Sequence, residues 1–287
     1  MPLVLIVTLA LLAFAGNSLL TRAALADAAA DAEAFAAIRL IAGAGMLAVI
    51  PLLRRIRGIP ARADVPTILA LFVYAAAFSR AYLSLGSATG ALVLFASVQC
   101  TMVAGGVLRG TRYTAVQFVG LVIALAGLGW MLAPALTSPP LGEFSLVVAA
   151  GVAWGVYSSV GAGADESVAR TARNFIGTVP VAMLLLAQAD AIDSARFVLL
   201  AVLSGAITSV LGYVLWYAAL PRLPGLAAGT LQLSVPVITA IGSMIWLGEP
   251  ITVTLVGAML LILAGIALTL PRRVRPHEPP TGTSRVP

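Results

Sequence analysis

The sequence predicts an all-α integral membrane protein with ten transmembrane helices, arranged as a 5+5 inverted-topology repeat. Of its 287 residues, 61% are hydrophobic and only 10% are charged, and the mean hydropathy is +1.05. A soluble domain carries about 25% charged residues. Ten apolar runs and a weak repeat between the two halves of the chain predict the number and arrangement of the helices.

Most of the apolar runs approach the length of about 20 helical residues that a bilayer requires. They are 3–25, 33–53, 66–85, 88–108, 114–133, 144–162, 172–188, 197–220, 225–247 and 252–270. The first run has an alternative interpretation, because Ala24-Leu25-Ala26 resembles a signal-peptidase site. It lacks a basic n-region and is too long for a signal peptide, so a retained helix is favoured.

The two halves correspond at a separation of about 140 residues. Ser97 corresponds to Ser234 and Gly120 to Gly257. Five helices per half is an odd number, so the second half enters the membrane from the opposite side, as in many secondary transporters. We expect residues 1–138 to form the first repeat, 139–270 the second, and the Pro- and Arg-rich residues 271–287 a disordered cytoplasmic tail.

The arginines predict the orientation, since the chain contains no lysine. With a cytoplasmic N-terminus, 13 of the 17 basic residues fall on the inner side. The positive-inside rule therefore predicts an inner-membrane protein with both termini in the cytoplasm. Topology explains the net charge of +6 better than a nucleic-acid partner does.

Residues that are missing exclude several classes of function. The chain has one cysteine, Cys100, and one histidine, His277, which lies in the tail. We therefore expect no disulfide, metal site or cofactor, and no enzymatic activity. No Asp or Glu lies centrally in a run, so proton coupling through an embedded carboxylate is not expected. We expect a small-molecule substrate and the lipid bilayer as partners of a monomer or weak dimer.

Two apolar runs share a face of aromatic and polar residues. Asn17 lies three residues after Phe14 in the first run, and Tyr157 lies three residues after Trp154 in the sixth. An embedded amide requires a partner. Asn17, Trp154 and Tyr157 are therefore candidate substrate-binding residues. The alternative for Asn17 is a tie between helices, which contributes about 0.6 kcal/mol.

Two further stripes are aromatic at helical spacing. They contain Tyr74, Phe78 and Tyr82 in the third run, and Tyr213, Trp216 and Tyr217 in the eighth. Aromatic residues near helix ends usually anchor at the membrane interface, which is the alternative for Tyr82, Trp216 and Tyr217. Phe78 and Tyr213 lie further from the ends. Phe78, Tyr82 and Tyr213 are taken as candidate substrate-binding residues.

The run 225–247 carries small and polar residues on one helical face. Gln232 on this face and Gln99 on the corresponding helix of the first half can each donate and accept hydrogen bonds, which suits a zwitterion. Pro236 removes one backbone hydrogen bond and favours a kink. We expect Gln99 and Gln232 to bind substrate and Pro236 and Gly229 to form a hinge; tight helix packing is the alternative.

Arg39 lies deeper in a predicted span than any other arginine. A charge at this depth must extend towards water or be paired. In one interpretation Arg39 pairs with the nearby acids Asp31 or Glu33. In the other, Arg39 is a substrate-binding residue that attracts the carboxylate of the substrate. For Arg80, near the end of the third run, a structural role is favoured.

Two patterns resemble a known family: F-A-A-I-R-L in the second run, and L-G-E-P before L-V-G-A-M-L-L-I-L-A-G in the last. On these patterns the chain resembles the EamA-type branch of the drug/metabolite transporter superfamily, and the resemblance extends over essentially the whole chain except the tail. Within that branch the chain is similar to YddG-like aromatic amino-acid exporters. The resemblance implies an alternating-access carrier that moves small metabolites outward. The first half departs from the pattern, because Arg109-Gly110-Thr111-Arg112 stands where the second half has L-G-E, so a shared role for Glu249 does not follow.

The expected function is therefore export of amino acids, aromatic ones preferred, or of similar metabolites, by facilitated diffusion. Two alternatives remain: a proton-coupled carrier for a drug or sugar-type solute, and a membrane scaffold without transport activity. A cationic solute would normally require an embedded carboxylate, and no apolar run contains one centrally. A scaffold would not need two polar faces in an inverted repeat.

Overall fold

The computed structural model describes residues 1–25, 30–49, 60–84, 87–132, 141–161, 167–189, 194–223, 225–247 and 253–269. The predicted boundary between residues 138 and 139, Glu249 and the tail 271–287 lie outside these residues. The described chain is helical throughout, as its apolar runs predict. Its helices are α1 Leu3–Ala24, α2 Ala32–Val49, α3 Val65–Ser84, α4 Ser87–Leu108, α5 Ala115–Leu132, α6 Leu141–Gly161, α7 Ser167–Leu186, α8 Ala195–Val202, α9 Val210–Ala219, α10 Gly225–Gln232, α11 Ser234–Leu247 and α12 Val253–Thr269.

Each apolar run corresponds to one helix or to one interrupted helix. A π-helical segment, Leu203–Ser209, joins α8 to α9 without a break, and the single residue Leu233 separates α10 from α11. By length and composition, five of the described helical stretches can cross a membrane. Three further apolar helices are shorter in their described part: Val93–Leu108, Ala115–Gly127 and Val256–Thr269.

The helix packing between the two halves is symmetric. α6 packs against α3 and α4, and α1 packs against α9 and α11. α2 packs against α7, and α5 packs against α12. Exchanging the first five helical stretches for the second five leaves this set of neighbours unchanged. α1, α3, α6, α7 and α9 meet in the middle of the bundle, where the largest buried side chains lie.

An ion pair joins the two halves at the end predicted to be cytoplasmic. Asp64, just before α3, is 5% exposed and accepts a hydrogen bond from Arg173 Nε on α7 at 2.9 Å. Next to it, Thr67 Oγ1 donates to Asn174 Oδ1 at 2.8 Å. The sequence interpretation did not identify Asp64, because an acid beside arginines in a loop indicates an exposed position. It is the only buried carboxylate among the described residues.

Candidate functional site

Ten aromatic rings form a continuous cluster where the two halves meet. We call this the central aromatic cluster, and its members are Phe14, Tyr74, Phe78, Tyr82, Trp154, Tyr157, Phe175, Tyr213, Trp216 and Tyr217. Trp154 and Tyr213 have the most ring neighbours in the cluster. The centroid of Trp154 lies 4.7 Å from that of Tyr213, 5.1 Å from Tyr74, 5.3 Å from Phe14 and 5.4 Å from Tyr157. Aromatic pairs at such separations stabilise a packed core by about 0.5–1.5 kcal/mol beyond the contribution of the surface area that they bury.

The cluster brings together five of the predicted binding residues: Phe78, Tyr82, Trp154, Tyr157 and Tyr213. It also corrects the interface interpretation. Tyr82, Trp216 and Tyr217 are all 0% exposed, and each contacts another ring of the cluster, so they are not anchors at a lipid interface. Distance from a helix end is a poor guide to depth here, because these rings point into the bundle.

Arg39 lies against this cluster and is 1% exposed. Its Nε donates to Ser209 Oγ at 3.1 Å, and its Nη2 donates to Tyr213 Oη at 2.8 Å. The guanidinium carbon lies 5.2 Å from the centre of the Tyr74 ring and 5.8 Å from that of Phe78, within cation–π range. Its buried Nη1 has no hydrogen-bond partner among the described residues.

The acids at the start of α2 do not neutralise Arg39, contrary to one of the two interpretations. Glu33 pairs with Arg80 at 2.7 Å, and Asp31 Oδ1 accepts from the backbone N–H of Ala34. The Arg39 backbone contacts Gly205, which has no side chain to obstruct it. From there the side chain reaches Ser209 in the π segment and Tyr213 on α9. Between described residues, the ion pairs are Arg80–Glu33 and Arg173–Asp64.

The π segment supplies the polar partners of two predicted site residues. Ser204 Oγ donates to Asn17 Oδ1 at 2.6 Å, and Ser209 accepts from Arg39. Thr208 Oγ1, which donates to the Ser204 carbonyl at 2.9 Å, lies 3.4 Å from the same Asn17 oxygen. Asn17 therefore joins α1 to the π segment, while its binding role stays a prediction. π-helical turns often occur at functional sites. The sequence interpretation missed this one, although its three hydroxyl residues within six positions of an apolar run were visible.

The two predicted glutamines connect α4 to α10. Gln232 Oε1 accepts from Trp154 Nε1 at 2.5 Å, and its Nε2 donates to Met102 Sδ at 3.5 Å. Gln99 Nε2 donates to Thr230 Oγ1 at 3.2 Å, whereas its buried Oε1 has no partner among the described residues. Gly229 faces that oxygen, and any side chain there would collide with it. Gly229 thus provides space for Gln99.

The predicted hinge coincides with a break in the helix. α10 ends at Gln232, and α11 begins at Ser234, two residues before Pro236. Proline has no N–H to donate to the carbonyl four residues earlier, which is that of Gln232, and its ring crowds that carbonyl. Movement about this break stays a prediction.

The described side chains around Trp154 pack closely against one another. The void between Phe14, Ser18, Tyr74, Leu94, Phe95 and Trp154 measures about 10 Å³, which is room for no more than about one water molecule. Within the described residues, no group of three His, Cys, Asp or Glu side chains is placed to hold a metal ion. The arrangement offers an anion one buried guanidinium nitrogen, and it offers an apolar or aromatic group a set of ring faces.

Comparison with known proteins adds sequence relatives and a shared fold. Residues 142–270 match the EamA-like transporter family. Over 273 residues the chain is 47% identical to an uncharacterized protein of Pseudomonas aeruginosa, covering 94% of this chain and 95% of that protein. It is 31% identical over 176 residues to the threonine/homoserine exporter RhtA of Escherichia coli, which is 57% of this chain and 58% of RhtA. A crystal structure with 20% sequence identity superposes with a TM-score of 0.77, covering 93% of this chain and 96% of that one, so the fold is shared.

Proposed function

We propose that the chain belongs to the EamA-like transporter family, within the drug/metabolite transporter superfamily, and that it exports amino acids across the inner membrane by alternating access. The match of residues 142–270 to that family and the similarity to RhtA support a multi-pass membrane transporter of small molecules rather than an enzyme. We further propose that both termini are cytoplasmic. The observation that carries the choice of substrate is the buried guanidinium of Arg39, which no carboxylate of the described chain neutralises.

A buried charge without a counter-charge is costly, of the order of several kcal/mol after relaxation. Hydroxyl groups and ring faces recover part of this cost at Arg39. A substrate carboxylate would recover more, because a guanidinium binds carboxylates through two parallel hydrogen bonds. The unpartnered Nη1 is the donor left for such a ligand.

The rest of the amino acid would lie against the central aromatic cluster. Ring faces attract both an ammonium group and an aromatic side chain. Gln99 Oε1 is a buried acceptor without a partner, which suits an ammonium donor. These features favour aromatic amino acids. A second candidate, a threonine-like amino acid, is favoured by the similarity to RhtA.

Alternating access is supported by the packing. The set of neighbours is unchanged on exchange of the halves, as a 5+5 inverted repeat requires. Inverted repeats place the substrate site between the halves, near the membrane midplane. Arg39 from the first half and Ser209 and Tyr213 from the second meet in this way.

We propose that transport occurs by facilitated diffusion, driven by the concentration gradient of the substrate itself. Two described carboxylates that a proton could occupy are engaged at helix ends, Asp64 by Arg173 and Glu33 by Arg80. Proton-coupled carriers usually keep a titratable group within the membrane.

A flux assay with purified protein in liposomes tests the proposal. We expect saturable uptake of labelled L-phenylalanine, with competition by other aromatic amino acids, and no dependence on an imposed pH gradient. Stronger competition by threonine and homoserine would favour the second candidate. Absence of saturable flux for every amino acid would refute amino-acid transport, and flux that requires the gradient would refute facilitated diffusion.

A further inference from the structure

A polar cavity lies at the end of the bundle that is predicted to be cytoplasmic. Its volume is about 290 Å³, and it opens between the C-terminal ends of α4, α6 and α9 and the side of α10. We call it the inner cavity. Ligand sites range upwards from about 300 Å³, so the inner cavity lies at the lower limit of that range, which suits a molecule as small as an amino acid.

Two hydroxyl groups in this cavity lack partners. Ser158 is 0% exposed, and its Oγ has no hydrogen-bond partner among the described residues. The buried Oη of Tyr113 also has none, and Ser159 and Arg109 complete the polar side of the cavity. Leaving a buried polar group unsatisfied costs about 1–3 kcal/mol. Such groups therefore indicate a position where water or a ligand binds.

The backbone at the end of α4 holds Arg109 and Tyr113 beside the cavity. Gly110 has a φ of +81°, and Thr111 N–H donates to the Gly106 carbonyl at 2.9 Å, which is the glycine-capped end of a helix. The chain then turns back so that the Tyr113 hydroxyl lies over Gly106, where a Cβ atom would collide with it. The cap thus determines where both side chains lie.

The electrostatics of the inner cavity favour an anion. Arg109 brings a positive charge, and no Asp or Glu occurs among the described lining residues. Burial raises the pKa of the Tyr113 phenol, although the Arg109 guanidinium opposes that shift. The phenol therefore stays protonated at neutral pH and can donate a hydrogen bond.

The inner cavity adjoins the central aromatic cluster. Met102 lines the cavity and accepts from Gln232, whose oxygen in turn accepts from Trp154. On α6, Ser158 in the cavity follows directly after Tyr157 in the cluster. A short barrier of Met102, Gln232 and Trp154 thus separates the two sites.

We propose that the inner cavity is a second carboxylate-binding site, where Arg109 and the hydroxyls of Ser158 and Tyr113 hold an amino acid before it passes to Arg39. This inference rests on the proposed function. It predicts that binding to the cavity persists when the Arg39 site is removed.

Protection of an introduced thiol tests the inference directly. The variant carries Cys100→Ser to remove the exposed native thiol, Ser159→Cys to place one in the cavity, and Arg39→Gln to disable the central site. Labelling by a membrane-impermeant maleimide is followed in inside-out vesicles. At ten times the dissociation constant, L-phenylalanine or L-threonine should slow labelling about tenfold. Phenethylamine, which lacks the carboxylate, should not.

Added substitutions identify the groups that bind. Arg109→Gln should raise the protecting concentration at least about tenfold, because a hydrogen bond to a charged group is lost. Gly106→Ala should also weaken protection by displacing Tyr113. Gly105→Ala is the matched control, since its Cβ would lie 3.6 Å from Arg109 Nη2, an ordinary contact.

The outcomes separate the two proposals. In one outcome, the wild-type protein transports amino acids while neither L-phenylalanine nor L-threonine protects the thiol in the Arg39→Gln background. In that case the second site does not exist and the proposed function stands. Protection unchanged by Arg109→Gln also overturns the inference. If the wild-type protein transports no amino acid, the proposed function fails, whereas protection would still report carboxylate binding in the cavity.

Discussion

The two deeply placed arginines of the first half differ in surroundings. Arg80 is largely exposed and pairs with Glu33. Such surface pairs contribute about 0–1 kcal/mol. Arg39 is buried among hydroxyls and ring faces, with one nitrogen unpartnered. Its surroundings therefore suit an anion that is present only part of the time, as a transported carboxylate is.

The sequence predicts some of the residues of the candidate site, but it does not predict which residues they contact. The four-residue spacing of Tyr74, Phe78 and Tyr82 predicts one helical face, and the three lie on one face in the structure. The partners of Arg39 are 170 and 174 residues away in the sequence. Local periodicity carries no information on such pairs, since they depend on how α2 packs against the π segment.

The contact between Gln232 and Trp154 gives a prediction at the residue scale. Gln232→Leu should lower the free energy of unfolding by about 1 kcal/mol, because it leaves the buried Trp154 N–H without an acceptor. Trp154→Phe removes that donor, so the double variant should lose less than the sum of the two single losses. Equilibrium unfolding in mixed micelles measures the three values, and strict additivity would show that the hydrogen bond has no energetic role.

Two helices depart from regular α geometry, and each departure lies beside the candidate site. The π segment places Ser204 and Ser209 against Asn17 and Arg39. The break at Leu233 follows directly after Gln232, which contacts Trp154. The break was foreseeable from Pro236, because proline has a defined effect on a helix. The π geometry was not foreseeable: the hydroxyl residues of this segment mark a polar face in the sequence, but one extra residue in a turn has no comparable signature.

Pro236 provides a prediction at the scale of an element. Pro236→Ala restores an N–H donor and should make α10 and α11 one continuous helix. If the helix pivots there, maximal flux should fall by about tenfold while substrate affinity changes little. Flux in liposomes measures the first quantity and equilibrium binding the second.

Pro180→Ala is the matched control for that experiment. Pro180 lies inside α7, which continues unbroken from Ser167 to Leu186. Its replacement should leave maximal flux within about twofold, because no break is removed. Equal loss of flux in the two variants would argue against a pivot at Leu233.

At the scale of the molecule, free space is distributed unevenly among the described residues. In the central aromatic cluster, the void beside Trp154 measures about 10 Å³. The inner cavity, by contrast, has about 290 Å³. Passage of a substrate between these rings, as proposed, would require them to separate. The helix order was predictable from the apolar runs, whereas this distribution of space was not, because it depends on side-chain packing across the two halves.

The most direct test of the account is amino-acid flux in liposomes for the Arg39→Gln variant, with Arg80→Gln as the matched loss of one arginine. Loss of a buried partner for the substrate carboxylate should lower flux about a hundredfold. Arg39→Lys keeps the charge without the planar fork and should retain part of the activity. Arg80→Gln should stay within about twofold of the wild type. Flux of Arg39→Gln equal to that of Arg80→Gln, in protein with an unchanged unfolding temperature, would contradict a role for Arg39 in carboxylate binding.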